Sequence, residues 1–127
     1  GALLHNNSRK FICRNVYIKP ENSTAKITSK IPLNKALKIP IAHGEGKYFA
    51  DANTLKTLND NGQILFRYCD ENGQITQESN PNGALENIAG VCNVNKNVFG
   101  MMPHPERATD KELFNEDGRF LFESILN

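Results

Sequence analysis

The sequence predicts an α/β fold, in which short strands and tight turns are combined with two helices. Two segments have the composition of strands: residues 11–18 are rich in aromatic and β-branched side chains, and residues 64–69 form a nearly continuous apolar run. Near the C-terminus, apolar residues recur at helical spacing, namely Phe120, Leu121, Ile125 and Leu126. These patterns indicate a central buried strand, a second strand before it and a C-terminal helix.

Between these segments the pattern changes from alternation to a helix. Residues 37–41 place Leu37, Ile39 and Ile41 on one face and Lys38 and Pro40 on the other. This alternation predicts a half-buried strand that runs into a glycine-rich loop at residues 43–46. Asp51 is a suitable N-cap for a helix over residues 52–60, and Asn61-Gly62 can take the left-handed conformation at its end.

Turn residues divide the second half of the chain. Asn72-Gly73 and the segment 80–83 both have the composition of turns. Residues 88–94 and 98–102 are predicted as two strands of a hairpin, whose short turn contains asparagines that accept positive φ. Residues 20–35 are polar and interrupted, so we expect a weak hairpin or a surface loop there.

Composition disfavours several functional classes. The 15 Lys and Arg residues and the 14 Asp and Glu residues are scattered, which gives no basic stripe for nucleic acid or an anionic membrane. No apolar run approaches a membrane span, and the N-terminus does not resemble a signal peptide. The three cysteines are far apart and include no CxxC pair, so we expect reduced, buried thiols and no metal site. These features predict a soluble, cytoplasmic protein.

The segment Met102-Pro103-His104-Pro105-Glu106-Arg107 contains the strongest candidates for catalysis. Pro105 disfavours helical backbone at His104, so we expect His104 and Glu106 in extended backbone with both side chains on the same side. A carboxylate in that position can orient an imidazole and stabilise its protonated form, as the third member of a nucleophile triad does. A His-x-Glu pair alone is more often a surface hydrogen bond, so the surrounding sequence must decide.

The longer string GMMPHPER, which follows the predicted strand IAGVCN, resembles the signature of class I (triad-type) glutamine amidotransferases. Within that superfamily it is most similar to the family of glutaminase subunits of phosphoribosylformylglycinamidine synthase. Three further segments agree, namely RKFICR at 9–14, IPIAHGEGKYF at 39–49 and ESNPNGALENIAGVCN at 78–93. The resemblance covers most of the chain and is weakest at residues 19–36.

The resemblance implies that residues 1–127 are the C-terminal portion of one flavodoxin-like, three-layer amidotransferase domain, with a mixed sheet, hairpins and a C-terminal helix. The half that carries the Gly-x-Cys-x-Gly nucleophile elbow is absent from the sequence, which begins abruptly with apolar residues. His104 would then be the base that activates the absent cysteine, and Glu106 would orient His104. His43, Gly44 and Glu45 would line the glutamine pocket.

The implied reaction is hydrolysis of glutamine to glutamate and ammonia. A synthetase subunit would use that ammonia, with ATP and magnesium, to convert formylglycinamide ribonucleotide into formylglycinamidine ribonucleotide. We expect no cofactor in this chain, no activity from it alone, and an apolar sheet surface that the missing half, a second copy or a partner covers. Two alternatives stay open: a non-catalytic interaction module derived from an amidotransferase, and an amidotransferase with a different acceptor.

Three other residues have competing interpretations. Cys92 imitates the nucleophile of an elbow, but Val94 occupies the position where an elbow needs a small residue, so we predict that Cys92 is a strand residue. For His43, the alternative to lining the glutamine pocket is a purely structural role in its loop. Arg107 is expected either to pair with Glu106 or to contact a partner subunit.

Overall fold

A five-stranded sheet forms the centre of the computed structural model, which describes residues 1–126. The strands are β1 (Ala2–His5), β2 (Ile12–Pro20), β3 (Leu37–His43), β4 (Glu45–Phe49), β5 (Ile64–Cys69), β6 (Ile88–Cys92) and β7 (Phe99–Met101); the helices are α1 (Ala52–Asp60) and α2 (Arg119–Leu126). The sheet has the order β3-β2-β5-β6-β7, and β1 pairs with β4 in a separate ribbon. Each of these pairings is antiparallel. The predicted α/β class is confirmed.

The inner face of the sheet follows from the alternation seen in the sequence. In β3 the three predicted core residues, Leu37, Ile39 and Ile41, are completely buried. Leu37 lies opposite Ile18 of β2, and the register continues along both strands, so their apolar side chains share one face. The central position of β5 explains its continuous apolar run, because Leu65 and Phe66 are adjacent in sequence and both fully buried.

Helix α2 and residues 25–31 cover this inner face. The expectation of a hairpin or surface loop in residues 20–35 is wrong, because a short 3₁₀ turn at Lys26–Thr28 places apolar side chains in the core. Leu121 and Ser124 of α2 are buried, and the Ser124 hydroxyl accepts a hydrogen bond from the Lys30 amide at 3.0 Å. The predicted apolar stripe of α2 is only partly buried, since its last two members, Ile125 and Leu126, are exposed.

The caps and turns agree with the sequence except in one detail. The Asp51 carboxylate accepts a hydrogen bond from the Thr54 amide at 2.7 Å and caps the start of α1. The helix ends before Gly62, which has a φ of 63°. The hairpin of β6 and β7 is also confirmed. The positive φ in its turn falls on Lys96, not on Asn95 or Asn97. The Asn93 side chain accepts hydrogen bonds from the backbone amides of residues 97 and 98 across this turn.

The ribbon of β1 and β4 lies on the less covered side of the molecule. All four residues of β1 are exposed, including Leu3 and Leu4. Between this ribbon and the β6–β7 hairpin is an apolar cavity of about 300 Å³, which Leu3, Tyr48 and Met101 help to line. The described residues therefore expose the apolar surface that the sequence led us to expect. None of the helices in residues 1–126 is both long and apolar enough to cross a membrane.

Candidate active site

The backbone around His104 is held between β3 and a short turn. The His104 amide donates a hydrogen bond to the carbonyl of Pro40 in β3 at 2.8 Å, which fixes the segment after β7 against the sheet. His104 has non-helical backbone, with φ −105° and ψ 85°, and Pro105 begins a 3₁₀ turn that ends at Arg107. The predicted extended backbone is therefore wrong at Glu106. Pro105 keeps His104 out of helical backbone, but its own fixed φ suits the first position of a turn.

The two side chains nevertheless meet, as predicted. Nδ1 of His104 lies 2.8 Å from Oε1 of Glu106. An ionised carboxylate only accepts hydrogen bonds, so Nδ1 carries the proton and Nε2 is the basic nitrogen of the ring. The His104 side chain is 32% exposed, which leaves the ring accessible to a reacting group.

Glu106 is ionised under ordinary conditions. Partial burial acts to raise the pKa of its carboxyl group. Its own backbone amide, the hydrogen bond and electrostatic interaction with His104 and the positive charge of Arg107 outweigh that effect, and the pKa lies below its ordinary value of 4.5. The pair therefore has the charge distribution that a base and its orienting carboxylate need.

Gly118, just before α2, holds this turn in place. Its amide donates a hydrogen bond to the carbonyl of the buried Ala108 at 2.7 Å. A Cβ atom at this position would clash with the Pro105 carbonyl oxygen and would lie 2.8 Å from that of Ala108. Only glycine allows α2 to start so close to the turn. Sequence analysis missed this role, for which a glycine directly before a helix was the only signal.

His43 lies at the end of β3 and is buried, with 4% of its surface exposed. The expected loop is a single linking residue, Gly44, because β4 begins at Glu45. The pKa of His43 is lowered from 6.5, first by burial and also by the charge of His104, while a backbone hydrogen bond opposes the shift. The ring is therefore neutral and within electrostatic range of His104.

Gly44 and Glu45 differ in their surroundings. The Gly44 carbonyl accepts a hydrogen bond from the Asn6 amide at 2.9 Å. The Glu45 carboxylate is exposed and lies 3.3 Å from Nε2 of His5. Because β3 delivers His43 and also anchors His104, the two predicted groups of site residues lie in one region of the molecule. Binding of glutamine by His43, Gly44 and Glu45 stays a prediction.

Comparison with known proteins identifies the family of the chain. The model of the CobB/CobQ-like glutamine amidotransferase domain matches residues 1–119. The chain belongs to this family. The phosphoribosylformylglycinamidine synthase subunit PurQ of Acaryochloris marina is 53% identical over 127 residues, which are 100% of this chain and 54% of that protein. The subunit of the same name from Methanocaldococcus jannaschii is 48% identical over 100% of this chain and 55% of its own length.

A solved structure supports the same assignment. This amidotransferase chain superposes on the structure of PurLQS from Thermotoga maritima with a TM-score of 0.81 and 41% identity, over 100% of this chain and 52% of that one. The similarity at that identity means that this chain shares the α/β fold of the part of that structure which it covers. It spans about half the length of the curated relatives it matches.

Two of the three cysteines of this amidotransferase chain, Cys92 and Cys69, are buried. Cys92 is a buried residue of β6, as predicted, and its Sγ lies 3.5 Å from the Gln63 carbonyl oxygen. Burial raises the pKa of Cys92, and burial raises that of Cys69 to about 11, so both thiols stay protonated. The prediction that all three thiols are buried is wrong for Cys13, which is on an exposed stretch of β2.

Arg107 and the possibility of a metal site were also considered in the sequence. Arg107 is exposed, and the structure shows no ion pair between it and Glu106 within residues 1–126, although its charge lowers the pKa of Glu106. A role for Arg107 toward a partner stays a prediction. Within the same described residues, His, Cys, Asp and Glu side chains form no group that is suited to a metal ion.

Proposed function

We propose that this chain is the part of a phosphoribosylformylglycinamidine synthase glutaminase subunit that carries the catalytic base. The observation that supports it is the 2.8 Å contact between His104 Nδ1 and Glu106 Oε1, in a chain of the glutamine amidotransferase family. The names of the relatives support the acceptor pathway. The nucleophilic cysteine comes from polypeptide outside these 127 residues, and the subunit acts in the cytoplasm.

His104 carries out the proton transfers, and Glu106 keeps its ring oriented. His104 Nε2 removes the proton from the cysteine thiol, and the sulfur attacks the side-chain amide carbon of glutamine. The same nitrogen returns the proton to the leaving amine, so ammonia departs and a glutamyl thioester remains. Water, activated by His104, then releases glutamate and restores the thiol. Glu106 keeps its hydrogen bond to Nδ1 and stabilises the imidazolium at each stage.

Glutamine and the rest of the amidotransferase domain bind around the His104–Glu106 pair. Glutamine lies against His43, Gly44 and Glu45. Because Gly44 has no side chain, the backbone of this segment can approach the substrate closely. The rest of the amidotransferase domain packs on the apolar surface around β1 and the cavity beside Tyr48. Ammonia passes to a synthetase subunit, which supplies the ATP and magnesium chemistry, so this chain needs no cofactor of its own.

A fusion protein tests this proposal. The part of the Acaryochloris marina relative that this chain does not match is joined ahead of residue 1, and glutamate release is measured with the synthetase subunit of that organism present. We expect the fusion to hydrolyse glutamine and the 127-residue chain alone to have no activity. Replacement His104→Ala is expected to lower kcat by about 10³-fold or more.

The Cys92→Ala variant of the fusion is the matched control and is expected to keep its activity. Glutaminase activity of the isolated chain, or a folded His104→Ala fusion with unchanged kcat, would contradict the proposal. The acceptor is tested separately by measuring formylglycinamidine ribonucleotide. A fusion that hydrolyses glutamine at the wild-type rate of the relative but never supports formation of this product would leave the glutaminase role standing and overturn the acceptor.

A further inference from the structure

Asn6, directly after β1, is a buried polar residue to which sequence analysis gave no role. Only 1% of its surface is exposed. Its amide Nδ2 donates hydrogen bonds to the carbonyl oxygens of Lys10 at 2.8 Å and His43 at 2.7 Å. Its Oδ1 lies 3.0 Å from Nδ1 of His43, and its backbone amide binds Gly44. Both sides of the carboxamide are therefore used, and two of its three hydrogen bonds are to His43.

This arrangement determines the tautomer of His43. The Nδ2 group faces two carbonyl oxygens, which accept only, so the carboxamide cannot be turned around without losing both hydrogen bonds. Its Oδ1 must therefore face His43, and an oxygen acceptor requires a proton on Nδ1. The Nε2 atom of the neutral ring is then unprotonated. It is buried and has no hydrogen-bond partner among residues 1–126.

The ring is also held in position. Gly46 packs directly against it, since a Cβ atom on Gly46 would lie 2.7 Å from Nδ1 of His43. His104 is anchored to the same strand, β3, through the Pro40 carbonyl. On the ribbon beside His43, the exposed side chains of His5 and Glu45 contact each other, and the Lys47 ammonium donates a hydrogen bond to the side chain of Asn7. Within the described chain, His104 is the titratable residue whose charge acts on the His43 ring.

We propose that Asn6 is a positioning residue for His104: it keeps the neighbouring His43 ring neutral and in the Nδ1–H tautomer. This inference rests on the proposed function, in which His104 becomes an imidazolium when it takes the thiol proton. A second positive charge on His43 would repel that imidazolium and make the proton transfer less favourable. An amide oxygen accepts the hydrogen bond from His43 Nδ1 without favouring a second proton on the ring. A carboxylate at the same position would favour the doubly protonated, charged ring.

The first test is spectroscopic and uses the unmodified fusion protein. With histidine labelled by ¹⁵N in the ring, the chemical shifts distinguish the Nδ1–H tautomer, the Nε2–H tautomer and the imidazolium. We expect His43 to show a protonated Nδ1 and an unprotonated Nε2 near neutral pH. An Nε2–H or doubly protonated His43 ring in this protein would overturn the inference, whatever the variants do.

The second test uses variants at position 6. In Asn6→Asp we expect a His43 imidazolium signal and a kcat for glutamine hydrolysis that is lower by about tenfold. Asn6→Ala removes the acceptor and is expected to give a mixture of tautomers with a smaller loss. The matched control is Asn7→Ala, because Asn7 is the exposed neighbour whose side chain binds Lys47, and it is expected to leave both readouts unchanged.

The outcomes separate this inference from the proposed function. A fusion without glutaminase activity defeats the proposed function, and the inference about His104 falls with it. If glutaminase activity depends on His104 but a folded Asn6→Asp protein keeps its kcat while His43 becomes charged, the inference alone is overturned. If neither variant at position 6 folds, the tautomer in the unmodified fusion decides the result.

Discussion

His104 and His43 have almost the same hydrogen-bond geometry but different acceptors. Nδ1 of His104 lies 2.8 Å from a carboxylate oxygen of Glu106, and Nδ1 of His43 lies 3.0 Å from the amide oxygen of Asn6. A carboxylate stabilises the protonated ring, whereas an amide oxygen orients the ring without adding charge. The two rings also differ in burial, because the His104 side chain is accessible to solvent and the His43 side chain is buried. The acceptor and the exposure, not the geometry, suit only His104 to proton transfer.

Glu106→Gln is the strongest way to break this comparison, because it gives His104 the kind of acceptor that His43 has. A glutamine oxygen still accepts from Nδ1 but no longer stabilises the imidazolium, so we expect kcat for glutamine hydrolysis by the fusion to fall by about 10²- to 10⁴-fold. Steady-state kinetics measure the effect. Glu112→Gln, at an exposed carboxylate in the next turn, is the control and is expected to change nothing.

Gly118→Ala tests whether the turn at His104 is fixed from outside. Its Cβ would clash with the Pro105 carbonyl oxygen, and both partners are backbone, so the turn or the start of α2 must move. We expect the free energy of unfolding of the fusion to fall by about 3 kcal/mol in urea titrations. Gly100→Ala is the control, because a Cβ there meets nothing within 4 Å. Equal stability of the two variants would show that Gly118 does not hold the turn.

Gly46→Ala makes the corresponding change at His43. The added Cβ would lie 2.7 to 2.8 Å from three atoms of the buried ring, so the ring must leave its position opposite Asn6. A side-chain ring yields more easily than two backbone carbonyls, and we expect a loss of about 1 to 2 kcal/mol in unfolding free energy. Urea titration against the same Gly100→Ala control measures it. A loss larger than that of Gly118→Ala would reverse the ranking of the two sites.

Local patterns predicted those parts of the fold that depend on neighbouring residues. The alternation of Leu37, Ile39 and Ile41, the Asp51 cap and the buried run of β5 are all present in the structure. The contact between His104 and Glu106 was also predicted, although it was predicted from extended backbone and Glu106 lies in a 3₁₀ turn. In each case the signal and the contact lie within a few residues of each other.

The errors and omissions involve contacts between distant segments. Residues 25–31 are polar enough to be taken for a surface loop, and only packing against α2 shows that Ile27 and Ile31 belong to the core. Asn6 is unremarkable until β1 and the end of β3 are brought together, and Gly118 is unremarkable until α2 meets the turn at Pro105. A one-dimensional pattern contains no information about which surfaces will meet, so these residues were found only in the structure.

The smallest expected effect is on the pH dependence of stability, where the two sites act in different windows. The pKa of His43 is lowered from 6.5 in the folded protein, so the unfolded chain binds a proton there first. Its contribution to stability is complete above about pH 6.5 and is lost as the pH falls from 6.5 to the folded pKa. The pKa of Glu106 is lowered from 4.5, so its contribution is present above pH 4.5 and is lost below that value.

Two variants sharpen this prediction. His43→Asn keeps an amide donor for Asn6 but cannot titrate, so we expect it to remove the decline in unfolding free energy that begins near pH 6.5 and to keep the decline below pH 4.5. Glu106→Gln is expected to do the reverse, with a smaller change because its side chain is 57% exposed and solvent screens the pair. Urea titrations at a series of pH values give both profiles. If His43→Asn left the upper decline intact, the buried ring would not be the group that takes up the proton on unfolding, and the contrast between the two histidines would have to rest on their acceptors alone.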